Sequence, residues 1–379
     1  MNLGRFIARN VLRNKRRTGL TVLSIGFSLF LLIALTTFLD TLFNPPVAEE
    51  SALRLAVRRS TSLADQMPIS YLDKLKEVPH VVSAIPVQWF NGIYKEPKNF
   101  FANLAVDPSG MWDMFPELQV SEEAKRRFAA ERTAAIAGEA LMKRFGWKVG
   151  DRVTLLGSIF PVDLEFTIVG AYNYEVDESS FYFRYDYMNE ALGSPNQVGA
   201  FWLKADRAES VPGILERVDS MFRNTAAETK TETEKAFILG FIAMLGNVRV
   251  MMGSIALVVV FTMLLVAAST MAMAVRERLR EVAILKAMGY PRLTILALVV
   301  GEAVFIGLLG FVLGVSFAVG LHYTDVYTLT KGFIPSFTPS WLVLSMALLT
   351  GVGIGFLSGL FPGLQASNMP ITEAMRRLE

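Results

Sequence analysis

The chain has 379 residues, 52% of them hydrophobic, and its mean hydropathy of +0.39 is too apolar for an ordinary soluble domain of this length. A net charge of only +2, with its basic residues accounted for by flanks of apolar runs, gives no ground for nucleic-acid binding. Cysteine is absent, which excludes a disulfide framework and a thiol active site.

Residues 1–17 carry Arg5, Arg9, Arg13, Lys15, Arg16 and Arg17 and no acid. Leu3, Phe6, Ile7, Val11 and Leu12 recur at helical spacing, which predicts an amphipathic helix lying in the inner headgroup layer. Thr18–Leu39 then holds 22 residues without a charge. About 20 apolar helical residues cross a bilayer core, so 18–43 is a first transmembrane helix, too long to be a cleaved signal peptide.

After Pro45 and Pro46 the texture becomes that of a folded soluble domain, predicted over 44–228. Alternation at Leu53, Leu55 and Val57 predicts a strand, and Ile69–Glu77 a helix ended by Pro79. Val81–Tyr94, Phe100–Val106, Arg152–Leu156, Phe166–Ala171 and Val198–Lys204 read as strands. Ser121–Ala130 is a capped helix with Glu122 and Glu123 in its first turn, and Glu139–Phe145 and Glu209–Phe222 are further helices. The irregular alternation predicts an α+β domain. Two aromatic groups, Trp89, Phe90, Tyr94, Phe100 and Phe101, and Phe181, Tyr182, Phe183 and Tyr185, are either substrate contacts or core strand residues; core is the better reading for most.

From Thr229 the chain turns helical again, with Phe237, Phe241, Met244 and Val248 on one stripe. No breaker is evident before the 25 uncharged residues of Met251–Val275, so 229–275 is predicted to be a stalk continuous with the second transmembrane helix, its stripe facing a partner helix. The alternative is a separate short helix packed on the domain.

Residues 276–292, RERLREVAILKAMGYPR, form a charged segment between two long apolar runs. Leu279, Val282, Leu285 and Met288 recur every third residue as a narrow apolar stripe, and Gly289 before Tyr290 and Pro291 stops the helix. This is a short amphipathic docking element at the membrane edge. Residues 293–321 form the third transmembrane helix, interrupted only by Glu302, and 341–362 the fourth, with 322–340 a short external loop and 363–379 a tail. Gly301, Gly307, Gly310, Gly314 and Gly320 in one helix, and Gly351, Gly353, Gly355 and Gly359 in the other, predict close helix packing rather than a pore. Glu302 lies about three turns from the docking segment and is expected to reach the interface or pair with one of its basic residues.

Charge orients these helices. Residues 1–17 are net +6 and the docking segment net +3, whereas 44–250 hold 23 basic and 28 acidic residues. The positive-inside rule places both termini and the docking segment in the cytoplasm and the large domain outside. The fold class is therefore a membrane protein of four transmembrane α-helices with a large α+β extracytoplasmic domain inserted between helices 1 and 2. No GxxxxGK[ST] phosphate loop or GxSxG elbow occurs, His80 and His322 lack a paired-ligand context, and Glu175, Asp177 and Glu178 lack the spacing of a calcium loop. Nothing supports catalysis, so the chain is expected to be no enzyme and to hold no metal.

Several stretches resemble the MacB/FtsX-like permease family, the membrane subunits of type VII ABC transporters. ARNVLRNKRRTGLTVLSIGF is similar to that family's opening helix and first span, and GEALMKRFGWKVGDRVTLLG (138–157) to the mid-domain signature of its MacB-like periplasmic core. RERLREVAILKAMGYPR is similar to its coupling helix, GEAVFIGLLGFVLG to its third span, and PGLQASNMPITEAMRRLE to its tail. The resemblance implies that the docking helix sits in a groove of a separate cytoplasmic ATPase, which binds ATP and Mg, and that two permeases, identical or paralogous, dimerise over two ATPase copies. Glu281, Ile284, Leu285, Lys286, Met288 and Gly289 would make the ATPase contact. It further implies no substrate tunnel, but ATP-driven movement of the second span and its stalk in a bacterial cytoplasmic (inner) membrane.

The function so implied is export or extraction of an amphiphile, peptide or lipoprotein, with a periplasmic adaptor in a double-membrane cell and membrane lipids around the spans. The alternative is an FtsX-like complex that signals to extracytoplasmic proteins without transport. A sensor unrelated to ATPases explains the topology but not the docking pattern.

Overall fold

Four helices, Lys15–Phe43, Val248–Glu277, Arg292–His322 and Trp341–Asn368, are long and apolar enough to cross a membrane. The computed structural model describes residues 11–44, 49–174, 178–244, 246–324 and 337–370. Leu3, Phe6 and Ile7 of the expected interfacial helix, and Glu175 and Asp177, lie outside the described residues. Before the first span, Val11 is buried and Leu12–Asn14 forms a single 3-10 turn. The chain divides into two units, a helical one holding the four spans and a second one over Pro45–Gly246.

Polar caps start three of the four spans. The side chains of Asn14, Asn247 and Ser340 accept from the backbone N–H groups of Arg17, Val250 and Val343, satisfying donors that helix geometry leaves free. The fourth span passes the expected end at 362 and runs to Asn368 with Pro362 inside it. A proline there removes one helical hydrogen bond, which buried neighbours in a bundle tolerate.

Glycines let the third span approach its neighbours closely. A Cβ on Gly307 would lie 2.4 Å from the Gly351 carbonyl oxygen, and one on Gly355 2.7 Å from that of Ala303, so the third and fourth spans touch backbone to backbone. A Cβ on Gly314 would lie 2.9 Å from the Gly26 carbonyl oxygen, which joins the third span to the first. Gly320 and Gly353 face open space and have no such role. Ile25, Leu29, Met263, Met271, Ala303, Ile306 and Ile354 form the shared apolar core of the bundle.

The other unit is built on a mixed sheet. Its strands are β1 (Arg54–Arg59), β3 (Val81–Trp89), β4 (Asn103–Val106), β5 (Gln119–Val120), β6 (Ala134–Gly138), β7 (Arg152–Leu155), β8 (Leu164–Asn173), β9 (Phe181–Arg184), β11 (Ala200–Ala205) and β12 (Thr229–Thr233). Their order is β12-β1-β11-β3-β4-β9-β6-β8-β5, with β7 paired to β8. β2 (Met67–Pro68) and β10 (Gln197–Val198) pair separately. The pairs β4 with β9 and β6 with β8 are parallel and the others antiparallel. Helices Tyr71–Lys76, Glu122–Ala130, Glu139–Phe145 and Val211–Met221 fall where the sequence predicts them.

Ser121 accepts from the Ala124 N–H at 3.2 Å, and Ser121→Ala is expected to cost about 1 kcal/mol, read as a lowered thermal midpoint. The VGD turn closes with Gly150 at φ +98 donating to the Ile168 carbonyl at 2.7 Å, which feeds the chain into β7. Phe90, Phe101, Phe181 and Phe183 are buried core residues, whereas Phe100 is exposed. Most of the aromatic grouping is therefore core packing.

The predicted stalk is corrected. Thr229–Thr233 is not helical but the edge strand β12, whose Thr229 and Thr231 are buried and donate their hydroxyls to the Asp219 carboxylate. The domain therefore runs past 228 to Gly246. The helix that follows, Glu234–Met244, is separate from the second span: Gly246 takes φ +87 and Asn247 caps a new helix beginning at Val248. A left-handed glycine followed by a capping asparagine is a stop and a start, which continuous hydrophobicity masked. Phe237 packs on Trp202 of β11, with ring centroids 5.8 Å apart, so this member of the stripe faces its own sheet.

Arg54 is the main buried charge of this unit. It pairs with Glu117 and Glu234, each at 2.6 Å, and donates to the Met114 carbonyl at 3.2 Å, while Glu117 Oε2 has no partner. Burial pushes the Glu234 carboxyl above its ordinary range, although Arg54 opposes this.

Candidate functional site

The docking segment is held at both ends by local sequence. The second span ends at Glu277, and Arg278, at φ −109 and ψ 13, is the single non-helical residue before the helix Leu279–Ala287. At the far end Gly289 is left-handed at φ +87, the Tyr290 N–H donates to the Leu285 carbonyl and the Gly289 N–H to that of Lys286. That is a Schellman closure, after which extended Pro291 leads into the third span.

The expected stripe of Leu279, Val282, Leu285 and Met288 does not form one face. Each step of three residues rotates by about 60° short of a full turn, so the four positions wind roughly half way round the helix. Val282 and Ala283 are buried, Val282 against Val275, Ile295 and Ala366. Leu285 is half-buried, while Ile284 and Met288 are 50% and 61% exposed. Ile284 and Met288, four residues apart, thus form the outward apolar pair.

Ion pairs tie the segment to its own bundle. Arg278 meets Glu302 of the third span at 2.6 Å, with both side chains largely buried. Arg13 meets Glu281 at 2.5 Å, and Arg17 pairs with Glu277. Lys286 Nζ donates to the carbonyl of Met369, just past the fourth span, and burial, with Arg292 nearby, pulls its ammonium below the ordinary range. Between the segment and the second and third spans lies a pocket of about 330 Å³, lined by Met271, Val275, Leu285, Leu298 and Val299 with Arg13, Arg278, Glu281 and Glu302 at its polar side.

Of the six residues assigned to an ATPase contact, Ile284, Met288 and Gly289 are exposed, Ile284 at the rim of the pocket that Leu285 also borders, and Glu281 and Lys286 are engaged within the chain. In the stalk group, Phe237 faces its own sheet, Phe241 and Met244 lie on the helix Glu234–Met244, and Val248 opens the second span. The pairing of Glu302 with a basic residue of the docking segment is as the sequence suggests. The ion pairs of Arg13 and Arg17 do not follow from the sequence reading, which places Arg13 on the polar face of an interfacial helix and Arg17 at its turn into the first span. A signal existed in the matching spacing, two arginines four apart and two glutamates four apart, Glu277 and Glu281, although each pair straddles a helix junction, at Asn14 and at Arg278, and does not share one helix face.

These features define a multi-pass membrane subunit of four apolar helices with a mixed α/β domain between the first and second. The sequence profile of the MacB-like periplasmic core domain matches residues 18–221, and that of the FtsX-like permease C-terminal region matches 253–371. The ABC transporter permease MJ1507 of Methanocaldococcus jannaschii, itself uncharacterized, is 19% identical over 98% of this chain and 96% of its own length. The ABC transporter permease YtrF of Bacillus subtilis is 28% identical over 48% of this chain and 42% of its own. The periplasmic region of MacB from Actinobacillus actinomycetemcomitans aligns with 50% of this chain and 92% of that structure, at 13% identity and a TM-score of 0.36. The chain belongs to the ABC transporter permeases of the MacB/FtsX type.

Proposed function

We propose that this permease transmits the ATP-driven motion of a separate ATPase across the membrane to its α+β domain, for export or extraction of an amphiphile, peptide or lipoprotein. The observation that carries the reading is the outward pair Ile284 and Met288 on a short helix between the second and third spans. An exposed apolar pair at a basic, membrane-edge helix suits insertion into a groove of a soluble partner. ATP and Mg belong to that partner, present in two copies, beneath two permeases. The basic residues of 1–17 and 276–292 support cytoplasmic termini in a cytoplasmic membrane, with the large domain outside.

The test is to co-purify the chain in detergent with the ATPase encoded beside it and to compare Ile284→Asp with Met288→Asp. Two carboxylates in an apolar groove are expected to abolish the complex while insertion of the permease persists, because neither charge has a partner there. A complex with unchanged ATP hydrolysis would instead place the ATPase contact elsewhere than on this helix, and the sensor reading would gain only if the unaltered chain formed no complex. The size of the inserted domain favours transport over FtsX-like signalling. ATP-dependent extraction of a labelled amphiphile from reconstituted vesicles distinguishes the two, as does the requirement for an adaptor.

A further inference from the structure

We infer that Arg278 is a positioning residue that joins the docking helix to the third span, so that motion received by the docking helix enters the bundle through the third span rather than through the second alone. The inference rests on the docking helix being where an ATPase acts.

The backbone by itself suggests the opposite route. The second span leads directly into the docking helix, and one residue, Arg278, separates them. A single non-helical residue is a corner about which two helices can swing. The side chain of that same residue, however, reaches across to Glu302, which is 8% exposed within the third span. Parting the two would leave a buried carboxylate uncompensated, so the corner is stiff in the direction of the third span.

The short connection reinforces this. Val282 touches the second, third and fourth spans alike, through Val275, Ile295 and Ala366, but the Gly289–Pro291 closure leaves little slack between docking helix and third span. The second span is the least buried of the four within the chain and the third the most. The third span in turn touches the first at Gly314 and the fourth at Gly307 through backbone contacts that cannot slide freely. A push on the docking helix therefore reaches the most embedded helix before it reaches the most peripheral one.

The chain lacks cysteine, so spin labels can be introduced at chosen sites. Arg280→Cys with Val312→Cys places exposed labels on the docking helix and the third span, and Arg280→Cys with Leu257→Cys on the docking helix and the second span. In the full complex, the first distance is expected to stay the same with and without ATP while the second changes. Glu302→Gln should add a shifted population to the first distance even in the permease alone, and Arg278→Glu combined with Glu302→Arg should restore a single one. An ATP-dependent change in the first distance in the otherwise intact chain overturns the inference. So does a Glu302→Gln variant whose first distance is unaltered, or a charge exchange that fails to restore it. Failure of the ATPase to associate at all would count against the docking reading instead, and the nucleotide-free comparison would still decide the joint.

Discussion

Gly307→Leu is expected to prevent the four helices from closing into one bundle. The new side chain would begin 2.4 Å from the Gly351 carbonyl oxygen, and the third and fourth spans would have to separate to admit it. Overpacking usually costs about 1–3 kcal/mol when side chains can give way, and more when the obstacle is backbone, as here. Gly355→Leu should behave alike, since its Cβ would sit 2.7 Å from the Ala303 carbonyl oxygen. Gly353→Ala is the control: nothing lies within 4 Å of that position, and alanine is the better helix former. Thermal aggregation of the purified chain in detergent, followed by size-exclusion chromatography, reads all three. A Gly307→Leu protein as stable as the unaltered chain would contradict the backbone contact.

Arg54→Met is expected to be the most damaging single change in the α+β unit. It removes the one cation that Glu117 and Glu234 share and leaves two buried carboxylates facing each other. Breaking a buried pair from one side costs about 3–5 kcal/mol, which for a domain of this size lowers the unfolding midpoint by roughly 6–20 °C. Glu234→Gln should be mild or stabilising, because the amide oxygen still accepts from Arg54 while one buried charge disappears. The pH dependence has a definite sign. Burial holds the Glu234 carboxyl above its ordinary 4.5, so the folded domain binds that proton more tightly than the unfolded chain does. Its contribution to stability is full below about pH 4.5 and is lost as pH rises through the raised value. Glu234→Gln removes that slope, and thermal midpoints taken across the range measure it.

Much of this architecture is legible without coordinates because it depends on quantities that sum along the chain. Hydrophobic length sets the four spans, since each must match one bilayer thickness. Local stop and start chemistry sets Glu122–Ala130, Glu139–Phe145 and the closure at Gly289, since caps and left-handed glycines act within a few residues. The pairing of Glu302 was legible for a related reason: an acid in an apolar span needs a cation within reach, and the docking segment supplied the nearest.

Tertiary structure decided what depends on partners distant in sequence. Thr229–Thr233 is a strand because β1 lies beside it, although its threonines alternate with charged residues and carry no apolar signal. The helix Glu234–Met244 is parted from the second span by the local stop and start at Gly246 and Asn247, but what it packs on was decided in space, through Glu234 to Arg54 and Phe237 to Trp202. Which residues of the docking helix face outward was settled by the second, third and fourth spans packing on Val282, leaving Ile284 and Met288 exposed. Composition and spacing determined that this chain is a four-span membrane protein with a short charged helix between the second and third spans. Only packing between remote segments decided where that helix is clamped and which side it offers, because burial and ion pairing are properties of neighbours in space.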